Sequence, residues 1–299
     1  MSALIKTNIM PKVTPGARLL GEIITWTASG ASVRHSDLIR ALKEVGLDES
    51  VARELAPRHA FARACRKLSE ARIIRQIAED EASIQFQFTQ ESKQGDRFSY
   101  DFETLLTLTK KTGQVHCDKG ELALLAQEEL DRCIAVRTGS DITRIVQKLF
   151  EREADLFPIR PQGGAYFVPQ LHAGFIDRVQ SLLKQLNGQM LRFPVPEGTA
   201  SGDVSVKEAV ASGLSALIAE HEEAIASFGE DTRPDTVERA AERIRNTKFK
   251  VEAYAALLAD QKHQLELSLA TASRKLRQKV ESLAAEREAV LVSLGRLFN

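Results

Sequence analysis

Six histidines and three cysteines are the residues of this chain best suited to hold a metal or act as nucleophiles, and their spacing gives them little to work with. No two of His35, His59, His116, His172, His221 and His263 stand four apart, the helical spacing that brings two imidazoles to one ion. His116 and Cys117 are neighbours, but adjacent strand residues point to opposite faces. Cys65, Cys117 and Cys133 include no CxxC pair, so neither a zinc site nor a disulfide framework is expected, and a reducing compartment fits. Cys65 falls on the apolar side of a predicted helix, where a buried structural thiol is expected. His221 stands on an apolar stripe, where a buried or interfacial polar role is expected rather than a ligand's. No GxGxxG, GxxxxGK[ST] or GxSxG occurs, so the simplest phosphate-binding and serine-hydrolase chemistries are absent. The expectation is a chain without catalytic residues, metal or cofactor.

Binding chemistry is better represented. Arg58, Arg63, Arg66 and Lys67, with His59 beside them, lie on one side of a predicted helix and would suit phosphates. Residues 1–78 carry 13 Lys or Arg against 7 Asp or Glu, whereas residues 79–135 carry 6 against 12. A basic head therefore precedes an acidic middle in a chain whose 41 basic and 41 acidic residues cancel. A second basic run, Arg239, Arg243, Arg245, Lys248 and Lys250, is opposed only by Glu242 and could add phosphate contacts. The third group is the string Arg160-Pro161-Gln162-Gly163-Gly164-Ala165-Tyr166-Phe167-Val168-Pro169. Its paired glycines suit a turn that a β-carbon would resist, and Arg160, Gly163, Gly164 and Tyr166 form a candidate partner-binding surface, since Tyr and Arg are favoured interface anchors.

The elements that must position these groups follow from apolar spacing. Ala17–Thr27, Asp37–Val45 with Ser36 as cap and Gly46 as stop, and Pro57 to about Ala71 read as three helices. Ile84, Phe86 and Phe88 then alternate with Gln85 and Gln87, the period of a strand, with Ile73–Ile77 as its partner. Phe98–Thr109 and Gln114–Cys117 form another pair turned at Gly113. Helices are predicted over Glu121–Val136 and Ser140–Arg152, a hairpin over Leu156–Val168, a helix over Leu171–Leu186 and a short strand at MLRFPV. PVPEGTASGD reads as a linker. Beyond it, Val204–Phe228 forms one helix, and a second, capped by Thr232, keeps a four-three apolar spacing for about 60 residues, roughly 90 Å. That exceeds what the first can cover, so Leu265, Leu269, Leu276, Val280, Leu283 and Val290 are expected to meet another subunit first of all, with the head folding back or another protein as the alternatives.

The fold expected is α+β and predominantly helical. It has a winged-helix-like head with β-hairpins over 1–118, a small αββαβ middle region over 119–195, a linker at 196–205 and a C-terminal helical hairpin or coiled coil over 206–299. The hydrophobic content of 43% is globular, no apolar run spans a membrane, and the N-terminus lacks a secretory stretch, so a cytoplasmic location is expected. The string R-P-x-G-G-x-Y-F-V-P, in the wider context TRIVQKLFEREADLFPIRPQGGAYFVP, resembles the signature of an uncharacterised family of bacterial and phage proteins of about this length. That resemblance implies a bacterial or phage setting and a multi-protein system, and carries no activity. Two functions lead, an oligomeric, non-catalytic interaction or scaffold protein and, as the alternative, a winged-helix DNA-binding protein, a regulator or phage or plasmid maintenance factor, dimerised by its C-terminal helices; an enzyme lacking a recognisable motif is the third class left open.

Overall fold

Leu19–Thr27, where the apolar spacing predicts a helix, is a strand, β1. Ile23, Ile24, Thr25, Trp26 and Thr27 are β-branched or aromatic, types that lose side-chain freedom in a helix and suit a pleated sheet. Gly21 allows a neighbouring strand to come close: a β-carbon there would lie 2.2 Å from the Val168 carbonyl oxygen. The computed structural model describes residues 18–69, 72–160, 162–229 and 231–297, and the side chains among these except at 94, 200, 201, 260 and 283–297.

After β1 come β2 (Ser32–Arg34), α1 (His35–Glu44), α2 (Pro57–Lys67), β3 (Arg72–Glu79), β4 (Ser83–Gln94), β5 (Arg97–Thr109), β6 (Gln114–His116), α3 (Gly120–Ala135), β7 (Val136–Thr138) and α4 (Gly139–Glu153). Then follow β8 (Phe157–Pro158), β9 (Tyr166–Pro169), α5 (Ala173–Gln185), β10 (Gln189–Pro196), α6 (Ala200–Ala226), α7 (Pro234–Ala253), the short α8 (Ala255–Leu258) and α9 (Lys262–Leu297). The chain is α+β with helix predominating, 56% against 25% strand. α1 takes in Ser36 and carries Arg34 at its cap position, and α2 stops at Lys67, short of Ala71. In the stretch read as a linker, β10 runs to Pro196 and α6 begins at Ala200. The chain divides into two units: Trp26–Ala154 with Gly174–Leu191, and residues up to 25 with 155–173 and 192 onward.

The first unit is built on an antiparallel sheet ordered β3-β4-β5-β6. Ile84, Phe86 and Phe88 face Leu108, Leu106 and Thr104, and all six are buried. Phe61, Ala64 and Cys65 of α2 and Leu122, Ala126 and Leu130 of α3 complete that core, with Phe61 set edge-on to Phe86. Elsewhere in the unit, Phe150 of α4 stacks on Trp26 and meets Phe175 of α5 edge-on.

The second unit holds a sheet ordered β10-β1-β9-β8 and the C-terminal helices. The second C-terminal helix is not continuous over 60 residues: α7 ends at Ala253, and after α8 and a single turn that includes Ala259 at φ 41°, α9 starts at Lys262. This break lets the chain reverse. α7 runs back along α6, with His221 Nε2 2.8 Å from Thr247 Oγ1, and α9 packs beside both through Lys275–Glu222 at 3.1 Å and Lys262–Glu252 at 2.9 Å. The apolar stripe Ile244, Val251, Leu258, Leu265, Leu269 and Leu276 is thereby buried together with Val210, Leu214 and Ile218 of α6.

Candidate interaction sites

The basic face of α2 is largely spoken for. Arg63 donates to both carboxylate oxygens of Asp141, at 2.8 and 2.5 Å, and Asp141 also accepts from the Thr138 amide and hydroxyl, each at 2.9 Å, at the start of α4. Burial raises the Asp141 pKa, but the hydrogen bonds from Arg63 and Thr138 and the Arg63 charge outweigh it and hold it at about 2. Arg58 pairs with Glu79 at 3.3 Å and Lys67 with Glu129 at 3.0 Å. Of the four, Arg66 has no ion pair among the described residues. In the second basic run, Arg239 pairs with Asp235 and Lys250 with Asp155, while Arg245 and Lys248 edge a groove of about 520 Å³ between α7 and α9 that Glu252 and Glu266 also line.

The RPQGGAYFVP hairpin forms as its glycines require. Gly163 and Gly164 sit at φ 70° and 85°, the left-handed region, between β8 and β9. Arg160 folds onto the turn, its Nε donating to the Gly163 carbonyl at 2.5 Å. A β-carbon on Gly163 would lie 2.7 Å from the Tyr166 hydroxyl, and one on Gly164 2.7 Å from an Arg160 guanidinium nitrogen. The four candidate residues are thus brought together, and the two side chains cover the turn. Behind this hairpin a polar knot fixes the break in the C-terminal helices. Asp155 accepts from the Tyr254 hydroxyl, pairs with Lys250 at 2.5 Å and lies 3.4 Å from His172 Nε2. Burial works against the Asp155 charge, but His172, Lys250 and Tyr254 together hold its pKa well below the carboxylate range, and burial with the adjacent Asp155 pushes Tyr254 up. Both shifted groups move away from neutrality, the wrong direction for acid–base exchange near pH 7.

Of the residues expected to bind a second subunit, Leu265, Leu269 and Leu276 are covered by the chain's own α6 and α7. Val280 is 39% exposed, and the side chains of Leu283 and Val290 lie outside the described residues. Cys65 is buried, its thiol pushed up to about 12 by burial. His221 sits in the α6–α7 interface, its pKa lowered first by burial. Among the described residues, no group of three or more His, Cys, Asp or Glu is placed to hold a metal, and no helix is long and apolar enough to cross a membrane.

One surface escaped the sequence reading. Phe98, Tyr100 and Phe102 of β5 are 52%, 56% and 62% exposed. A continuous β5 would point them to the buried side with Thr104, Leu106 and Leu108, since all six are even-numbered. Register shows why they face out: Phe88 pairs with Thr104 but Thr89 pairs with Phe102, so Glu103 is an extra residue, a β-bulge. Beyond it Phe102, Tyr100 and Phe98 stand opposite Thr89, Glu91 and Lys93, on the face away from Phe86 and Phe88. Glu103 is held there by Arg72 at 2.7 Å and Lys119 at 3.3 Å, which keep its carboxyl below the ordinary range. Leu105, opposite Gln87, extends the stripe, and Lys93 lies over the Phe98 ring at 5.6 Å. The sequence signal was the alternation Phe98-Ser99-Tyr100-Asp101-Phe102; its phase against the core could not be read without the bulge.

Compared with curated proteins and with solved structures, the chain matches none. A family model does match, over residues 19–289, and the chain belongs to that family, a family of unknown function designated DUF6744.

Proposed function

We propose that this chain is a non-catalytic protein-interaction module that self-associates and serves a bacterial or phage multi-protein system in the cytoplasm. The observation that carries this reading is the outward stripe of Phe98, Tyr100, Phe102 and Leu105. Burying such a stripe against another protein removes a contiguous apolar surface from water, and aromatic residues are the side chains that most often anchor interfaces. The RPQGGAYFVP turn adds a second, preorganised surface, because Arg160 and Tyr166 are already folded over it. On α9, the half-exposed Val280 is, among the described side chains of the expected stripe, the position left to a C-terminal contact, since Leu265, Leu269 and Leu276 are internal.

The alternative reading, a winged-helix DNA-binding protein dimerised by its C-terminal helices, would draw first on Arg66, which has no ion pair among the described residues, because Arg58, Arg63 and Lys67 each also serve a carboxylate of the same chain. The order α1, α2, β3–β4 keeps the helix–helix–hairpin part of a winged-helix succession, but the helix expected to open it is β1.

Light scattering of the full chain from about 1 to 100 μM, the range in which an ordinary interface associates, tests the proposal. A mass above that of the 33.1 kDa monomer is expected at the upper end. A monomer at every concentration would remove self-association from the reading.

A further inference from the structure

The same strand that carries the aromatic stripe has an open edge. β5 pairs with β4 along its whole length, but β6 covers only Thr107–Thr109 on the other side. Residues 97–102 are all exposed and have no strand partner on that edge among the described residues. A long, uncovered edge presents unpaired N–H and C=O groups, and soluble proteins usually blunt or cover such edges.

The residue pattern selects the partner. The exposed half of the β4–β5 hairpin holds Lys93 and Arg97 against Glu91, Asp96 and Asp101, an acidic surplus that opposes a nucleic acid. Laid antiparallel against a copy of itself with Ser99 opposite Ser99, the strand is self-complementary. Arg97 of each copy then faces Asp101 of the other, and Phe98 faces Tyr100. Directly opposite residues share a face, so the ion pairs lie on one side and the aromatic pairs on the other. Arg97 and Asp101 have no ion pair within the described chain, so both are available for it. A two-fold axis through Ser99 closes the contact after two copies, and the sheet edge disappears.

We infer that the open edge of β5 takes a second copy of this chain in the Ser99-centred antiparallel register, joining two four-stranded sheets into one and merging their aromatic stripes into a doubled face. This rests on the reading of the chain as self-associating and names the surface responsible.

The test is sedimentation equilibrium of the full chain and of three variants, Arg97→Asp, Asp101→Arg and the double swap. Each single variant sets like charges opposite one another twice per dimer, and should weaken dimerisation by about 10- to 30-fold. The double swap restores both pairs and should return the affinity to within about threefold of the native value. Dimerisation that is unchanged in both single variants, or not restored by the double swap, overturns this register while leaving self-association standing. A native chain that remains monomeric overturns both. Because both substituted positions are exposed, unchanged circular dichroism is expected for all three variants and separates a lost contact from a lost fold.

Discussion

Leu265, Leu269 and Leu276 on α9 and Phe98, Tyr100 and Phe102 on β5 are both apolar residues repeated at the period of their element, yet they meet opposite surroundings. The α9 stripe is covered by α6 and α7 because the chain breaks after Ala253 and reverses. The β5 stripe is uncovered because Glu103 bulges out of register and turns the strand over. Periodicity therefore identifies a face but not what lies against it. In one region a helix break supplies the cover from the same chain; in the other a bulge withdraws the residues from the core.

The largest effect expected from breaking this contrast is on stability. Leu269→Ala removes a buried side chain from between α7 and α9, and the lost transfer free energy plus the residual cavity should cost about 3 kcal/mol. Phe102→Thr keeps a β-branched strand residue and removes no buried packing, so stability should stay within about 0.5 kcal/mol. Urea unfolding of the two variants, with light scattering on the same samples, gives the crossed result expected: Leu269→Ala loses stability, while Phe102→Thr loses association. Equal stability losses would mean that the β5 stripe is covered within the monomer.

A smaller effect is expected at the polar knot that fixes the helix break. Asp155→Asn keeps the size of the side chain and an acceptor for Tyr254 but leaves Lys250 without its counter-charge. Because Lys250 is about one-third exposed, solvent offsets part of that loss, and about 2 kcal/mol is expected. Thermal unfolding checks it. A variant as stable as the native chain would show that the break is held by the Phe157–Tyr254 ring contact and the apolar core alone.

Much of the fold was legible in the sequence where one local rule was enough. The Ile84, Phe86, Phe88 alternation found its strand, Gly113 its hairpin and Gly163-Gly164 their turn, because each reflects a constraint within a few residues. β1 was misread because Leu19, Leu20, Ile23 and Ile24 fit a helical face, while the competing facts, β-branching and the need for Gly21 beside Val168, concern a strand about 150 residues away. The break at residues 254–261 has no proline or glycine to mark it; Tyr254 is drawn instead to Asp155, far off in sequence. The basic helix was seen correctly as α2, but its charges answer to Glu79, Glu129 and Asp141, partners that no spacing rule connects to it.

The smallest effect is a pH dependence that separates the two units. Burial lowers the pKa of His221 in the helical unit, and burial followed by the Arg137 charge lowers that of His35 in the sheet unit. Thr247 donates its hydroxyl to the Arg243 carbonyl at 3.0 Å, so it accepts from His221, which fixes the neutral ring with its proton on Nε2. A histidine whose pKa falls on folding binds fewer protons in the native state than in the unfolded one, so stability rises with pH. Its contribution is complete above the unfolded value of about 6.5 and is lost as pH falls through that value toward the native one. His221→Gln keeps a donor for Thr247 but cannot titrate. Its melting temperature should therefore fall less than the native chain's between pH 7 and 5, and His35→Gln should flatten the remainder. If His221→Gln follows the native profile throughout, the ring is protonated without cost in the α6–α7 interface, and the acid sensitivity belongs to the sheet unit alone.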